Sequence, residues 1–368
     1  MEKSNVYFAD MSNSFNENLL QKLKRLCITA GIKNIDFENQ FVAVKMHFGE
    51  PGNLAYLRPN YAKAVCDLVK ELGGKPFLTD CNTLYVGGRK NALDHLDSAY
   101  QNGFNPFATG VHVIIADGLK GTDETLVPIN QKWVKEAKIG KAIMDADIVI
   151  SLSHFKGHEE AGFGGALKNL GMGCGSRAGK MEQHCDSKPQ VNEEVCRGCG
   201  TCQKICAHDA LQFNADHKMH IDETKCVGCG RCIAMCPFDA IEPIFGQAFD
   251  ILNEKIAEYS YAVIHGRPSF HIALAIDVSP ECDCAPYNDK PIVADVGMFA
   301  SFDPVALDQA CADACNASPT IPGSVLDRHG HEHHDCFKDT HPETDWKSCL
   351  AHAEEIGLGT REYHLIKI

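Results

Sequence analysis

The sequence predicts an α/β fold, built on a mostly parallel sheet and interrupted by a short cysteine-rich insertion. Three observations carry this reading. From Phe41 to Ser151 short apolar runs alternate with stretches of helical spacing. The segments CRGCGTCQKICAHDAL and CVGCGRCIAMCPFDAI then repeat one another, with first cysteines at positions 196 and 226. After the repeat the strand-and-helix pattern resumes. Strands alternating with helices require crossover connections and hence a largely parallel sheet.

In chain order, FVAVKMH (Phe41–His47) reads as a buried strand. Tyr61–Leu72 has helical spacing and stops at Gly73-Gly74, which suits a left-handed C-terminal cap. Pro76–Asp80 reads as the next strand, NALDHLDSAYQNGF as a helix, and Val111–Asp117 and Asp147–Ser153 as two further strands. Beyond the repeat, Phe270–Asp277 and Pro291–Gly297 read as strands. Asp303–Asn316 reads as a helix, with Asp303 as N-cap and Pro304 in its first position.

The expected organisation is an α/β domain in two parts, 1–187 and 244–368, interrupted by a module at 188–243. Two independent α/β domains flanking the module form the alternative layout. Each half of the module reads C-x2-C-x2-C-x3-C, the spacing of bacterial two-cluster ferredoxins. In that pattern the fourth cysteine of each run serves the other cluster. The expected ligands are Cys196, Cys199, Cys202 and Cys236 for one [4Fe–4S] cluster, and Cys206, Cys226, Cys229 and Cys232 for the other. Three closely spaced thiolates on a tight loop reach three irons of one cube, and Gly198, Gly200, Gly228 and Gly230 let the backbone bend around it. Pro237 follows Cys236 as the pattern requires, whereas Ala207 follows Cys206. Zinc ribbons show two separated C-x2-C pairs rather than two runs of four.

The bulk numbers limit the functional classes. The 368 residues are 44% hydrophobic and 23% charged, enough to bury a sizeable core. A net charge of −14 argues against nucleic acid or an anionic membrane as partner. The opening MEKSNVYFADMSNSFNENLL lacks a basic region followed by an apolar run, so no secretory signal and a cytoplasmic location are expected. Nineteen cysteines in a reducing compartment point to metal or redox chemistry rather than disulfides.

A second set of residues clusters at predicted strand ends, where ligands of open α/β sheets collect. His154, Lys156 and His158 follow one strand and are the candidate catalytic groups, histidine being suited to proton transfer near neutral pH. Lys45 and His47 end another strand, Asp80 and Cys81 a third, and Asp117 a fourth. Gly162, Gly164 and Gly165 lead into a short helical stretch carrying Lys168 and Asn169. A glycine-rich loop entering a helix offers N–H groups to an anion. With Arg177 and Lys180 nearby, Lys45, His47, Gly164, Gly165, Lys168, Asn169 and Lys180 form the expected binding set for a phosphate or carboxylate.

Cys282 and Cys284 form a C-x-C that reads as a third metal site, a redox thiol pair or reduced structural cysteines. HGHEHHD (His329–Asp335) reads as a surface loop able to bind metal adventitiously. Cys311 and Cys315, four apart on a helix, read as core. GFGGALKNLG (Gly162–Gly171) lacks the G-x-G-x-x-G order, so Rossmann-type dinucleotide binding is not expected.

Together these segments resemble the iron–sulfur proteins of the domain of unknown function 362 family. The matching stretches are VKMHFGEPGN, FLTDCNTLYVGGR, IIADGLKG, SHFKGHEEAGFGGALKNLGMGC, SRAGK with His184, both cysteine runs, and ECDC followed by DVGMFASFDPVALD. The resemblance implies an α/β domain carrying an inserted ferredoxin module and supplies no substrate. The functional expectation is an iron–sulfur oxidoreductase that passes electrons through two clusters, to or from a cofactor such as a flavin or deazaflavin, or a small anionic substrate. A redox protein partner and a homodimer are expected with it. The alternative is a ferredoxin-like carrier or docking subunit without a catalytic pocket.

Overall fold

The computed structural model describes residues 2–368 apart from 85–86, 185–187, 227, 229, 243–248 and 331. The expected ligand Cys229, His331 of the histidine tract and the boundary at 243/244 lie outside the described residues.

Eight strands form one sheet: β1 (Ser4–Asp10), β2 (Phe41–Lys45), β3 (Lys75–Asp80), β4 (Val113–Ile115), β5 (Ile148–His154), β6 (Ser269–Ala275), β7 (Gly297–Ser301) and β8 (Tyr363–Lys367). Their spatial order is β8-β1-β7-β6-β5-β2-β3-β4. The run β6-β5-β2-β3-β4 is parallel throughout, and β7 is antiparallel to both its neighbours. Strands from before and after the cysteine repeat thus share a single sheet, which excludes two independent α/β domains.

Alternate residues of the central strands serve opposite faces, as the period of two demands. Val42, Val44, Ile148 and Ile150 pack on one side with α1 (Leu19–Thr29) and α2 (Pro59–Glu71), beside α3 (Ala92–Gln101). On the other side lie α4 (Ala166–Cys174) and α5 (Arg177–His184). Beyond the repeat they are joined by α8 (Phe249–Ile264), α9 (Pro304–Asn316) and α10 (Trp346–Glu355). All seven residues of β5 are buried, which is why the strand reads as a nearly continuous apolar run.

Local chemistry starts and stops the helices. Asn18 and Gln21 close a capping box on α1, and Pro59 opens α2. Gly73 ends α2 at φ +90°, where its N–H reaches the Lys70 carbonyl. Asp303 caps α9 by accepting from Val305 and Ala306 at 2.9 and 3.0 Å.

The expected strand Pro291–Gly297 is corrected. Only an isolated bridge, Val293 to Thr320, falls there, and the ladder runs over Gly297–Ser301. Pro291 has no N–H to give a ladder, while the apolar run continues into Met298 and Phe299, which register with Leu274 and Ala273. The run Val111–Asp117 shrinks to three paired residues, because β4 is an edge strand touching β3 alone.

The cysteine repeat folds as a small separate layer. Two strand pairs, Gln190–Val191 with Ile241–Glu242 and Leu211–Phe213 with Met219–Ile221, frame α6 (Thr201–Ile205) and α7 (Arg231–Met235). No helix among the described residues is long and apolar enough to cross a membrane.

Candidate functional site

The chain runs β2, β3, β4 in one direction and then returns to place β5 on the other side of β2. The crevice beyond the carboxyl ends of strands at such a reversal is the favoured ligand site of open α/β sheets. A cavity of about 650 Å³ of empty space, partly open to solvent, lies there. Its walls include Lys45, His47, Gly164, Gly165, Lys168, Asn169 and Lys180 of the expected binding set, together with His154 and Lys156. His158 stands behind this wall, next to Cys282 and Cys284, which do line the cavity.

Asn169 staples the reversal. Its Oδ1 accepts from Lys45 Nζ at 2.8 Å, and its Nδ2 donates to the Lys45 carbonyl and to Ser153 Oγ, both at 3.0 Å. One α4 side chain therefore ties β2 to β5. Lys45 Nζ also lies 3.0 Å from Asp80 Oδ1, with both side chains almost fully buried. Burial alone would raise the Asp80 carboxyl, but Lys45 and the neighbouring histidines outweigh it and hold it below the usual carboxylate range. Gly173 permits the arrangement: a Cβ there would stand 2.4 Å from Lys45 Nζ.

Sequence reading missed Arg89 and Glu50. Arg89 is buried, donates from Nε to Glu50 Oε2 at 2.6 Å and brings Nη1 to 3.8 Å from Asp80. Its only sequence signal is its place in FLTDCNTLYVGGR, because an isolated arginine reads as surface. His95, 3.7 Å from Asp80, is pushed by burial down to about 3 and is neutral in the physiological range.

His154 has both ring nitrogens engaged, Nδ1 with Asp283 Oδ1 and Nε2 with the Ile276 carbonyl, each at 2.8 Å. A neutral imidazole carries a single N–H, so the doubly protonated ring matches both acceptors. Through these two contacts it ties the end of β5 to the loop 276–283. Lys156 Nζ closes the same ion cluster at 3.2 Å from Asp283 Oδ2. Burial would raise Asp283, and His154 with Lys156 overcomes it and holds the carboxyl low.

The thiol corner is built differently. His158 Nδ1 accepts the backbone N–H groups of Glu160 and Ala161 at 3.0 Å each, so the ring proton sits on Nε2. Lys168 Nζ lies 3.5 Å from Cys282 Sγ. A hydrogen bond from Cys284 is the largest influence on Cys282; burial opposes it, and Lys168 and His158 then help to hold the thiol far below its ordinary value. Cys284 moves the opposite way, raised by its bond to Cys282 and by burial. The donor atoms of His158, Cys282 and Cys284 lie within 4.8 Å of one another, close enough to ring a metal ion. Ligation by His158 would require the other tautomer and the loss of both backbone hydrogen bonds.

Two expectations change. The N-terminus of α4 does not offer its N–H groups to a ligand: Ala166 and Leu167 donate to the Asp308 carboxylate at 2.7 and 2.9 Å. Gly165 makes room for this carboxylate, since a Cβ would stand 2.3 Å from Asp308 Oδ1. The Asp308 carboxyl takes the place of a ligand there, and Lys156, Lys168 and Lys180 are among the polar groups that line the cavity. Asp117 is not in the cavity wall; it accepts from the Asn82 backbone and side chain at 2.9 and 2.8 Å and braces the loop after β3. Cys81 and Cys174 are buried thiols whose pKa burial pushes up, Cys174 to about 11.

The cysteine layer rests on the rim of this cavity. Cys196, Cys202, Cys232 and Cys236 share one buried cluster with Met181 of α5 and Leu84 of the loop after β3. Lys90 donates to the Cys236 carbonyl at 3.1 Å and pairs with Asp239. In the histidine tract, His333 pairs with Asp339 at 2.6 Å. Cys311 and Cys315 are fully buried in the apolar core.

A model of the domain of unknown function DUF362 matches residues 42–313. The chain is 28% identical over 142 residues to the thylakoid-associated protein sll1697 of Synechocystis, a match spanning 39% of this chain and 40% of that protein. Among solved structures it is similar to a lactate racemase apoprotein from Thermoanaerobacterium thermosaccharolyticum, with TM-score 0.36, 11% identity, 74% of this chain and 51% of that one. It is also similar to a protein from Thermotoga maritima, with TM-score 0.41, 13% identity, 81% of this chain and 57% of that one.

Proposed function

The chain belongs to the DUF362 family, and from its own residues we propose that it is an iron–sulfur oxidoreductase. Two [4Fe–4S] clusters would be held by Cys196, Cys199, Cys202 and Cys236, and by Cys206, Cys226, Cys229 and Cys232. They would exchange single electrons between a redox protein partner and a ligand in the rim cavity.

The observation that carries this reading is the matching geometry of the two runs. Gly198 and Gly228 have φ of +62° and +69°, Gly200 and Gly230 of +71° and +67°. Each pair precedes a five-residue helix that ends at Cys206 or Cys236, with φ, ψ of −76°, 111° and −75°, 113°. The donor set fits the group. The ligands are soft thiols, and backbone N–H groups of Met219 and Ala240 already point at Cys196 Sγ and Cys236 Sγ at 3.4 and 3.2 Å. The Cys202 thiol is pushed up to about 11 by burial and by Cys236, the fourth cysteine of the other run, which suits their sharing one cluster. The strands that open and close the segment pair with each other, Gln190 to Glu242 and Val191 to Ile241, as an inserted module requires.

The cavity beside this layer favours a catalytic role over that of a plain carrier. Lys156, Lys168 and Lys180 would bind a small anionic substrate, or an acidic part of an organic cofactor such as a flavin or deazaflavin. Anaerobic purification with iron and sulfide quantitation tests the reading. About eight irons and eight sulfides per chain, with electron paramagnetic resonance of two interacting clusters after reduction, are expected. Zinc in place of iron would remove it.

A further inference from the structure

We propose that Cys282 and Cys284 form a thiol–disulfide exchange centre that reduces small anionic disulfides. Lys168 Nζ lies 3.5 Å from Cys282 Sγ, and donor atoms of His158 and Cys284 lie within 4.8 Å of the same sulfur. This is the environment of an attacking thiolate, and the adjacent Cys284 is placed to resolve a mixed disulfide. The two sulfurs lie within 4.8 Å of each other, in a cavity lined by Lys156, Lys168 and Lys180, where the carboxylate Asp80 is paired with Lys45. Cys311 and Cys315, by contrast, sit in an apolar core.

The exchange balances. The Cys282 thiolate attacks one sulfur of the substrate disulfide, forming a mixed disulfide and expelling a thiolate, which takes the proton of Cys284. The Cys284 thiolate then attacks Cys282 Sγ, expelling the second substrate thiolate and forming the Cys282–Cys284 disulfide. Two electrons pass to the substrate. Two electrons and one proton return the pair to its starting form, and reduced clusters would supply the electrons one at a time. Only this return half rests on the iron–sulfur reading.

The test uses anaerobically purified protein of measured iron, sulfide and zinc content. It is treated with dithiodiglycolate, a small dianionic disulfide, or with cystamine, its dicationic counterpart. Peptide mapping locates the products. The wild type is expected to release two thiols per exchange and form the Cys282–Cys284 disulfide. Cys284→Ser should release one and retain the mixed disulfide on Cys282. Dithiodiglycolate should react about tenfold faster than cystamine, an advantage diminished in Lys168→Met and kept in Lys168→Arg. Because the charge preference is read on the wild type, a variant that fails to fold does not end the test. A silent Cys282, first reaction at Cys284, or stoichiometric zinc on the pair would overturn the proposal. Full iron with a silent Cys282 would remove this inference alone; exchange in iron-free protein would uphold it and count against the cluster reading.

Discussion

The rim of the sheet and the cysteine layer beside it are both polar at heart, yet they are stabilised in opposite ways. At the rim several ions find their partners within the chain: Lys45 with Asp80, Arg89 with Glu50, His154 and Lys156 with Asp283. Helices on both faces of the sheet hold these groups. The cysteine layer has strands of two or three residues and helices of five, and thiols supply much of its interior. So small an apolar core gains stability from a bound group or a staple. The first region is preorganised by side chains; on the iron–sulfur proposal the second would be organised around its clusters.

Chelating the iron of the proposed clusters anaerobically is the strongest test of that difference. Hydrogen exchange should show complete loss of amide protection at Leu211–Phe213 and Met219–Ile221, with β5 unchanged. Joint loss of both would mean that they form one cooperative unit. The converse experiment strikes the rim. Asp80→Ala leaves Lys45 buried without its carboxylate and should cost about 3–5 kcal/mol in urea unfolding. A loss below about 1 kcal/mol would deny the rim its internal pairing.

A smaller effect separates the two regions by pH. Asp308 is buried, and burial raises its carboxyl to about 7 against the two helix N–H bonds that oppose the rise. The folded state therefore binds a proton that the unfolded chain, with an aspartate near 3.9, releases. Stability from this group falls as pH rises from about 4 and levels off above about 8. Between pH 6 and 8 the wild type should lose about 1.4 kcal/mol more than Asp308→Asn. Identical pH slopes would place the Asp308 carboxyl in its ordinary range. The smallest change lies outside both regions. Lys63→Ala removes an exposed i,i+4 pair with Asp67 and should cost no more than about 0.5 kcal/mol.

The sheet was legible because buried parallel strands read as apolar runs, and β2, β3, β5 and β6 all do. The false strand at Pro291 arose where alternation continued across a rim loop that has no ladder partner until Met298. The cavity wall was legible as a set, since Lys45, Lys156, Lys168 and Asn169 each follow a recognisable strand or glycine turn. Their individual roles were not. The glycine loop pointed to an anion at the α4 N-terminus, and the group found there is the Asp308 carboxyl, 142 residues away.

By itself the sequence determined what local spacing can encode: the parallel layer, the two cysteine runs and the residue types at the strand ends. Tertiary structure decided which of those groups still has a proton or charge to offer. His154 meets Asp283 across 129 positions and Lys45 meets Asn169 across 124, so no local pattern carries these pairings. The physical reason is that a ligand run is written in the short-range geometry of one turn. The availability of a buried charge, in contrast, depends on desolvation and on partners that distant segments bring to it.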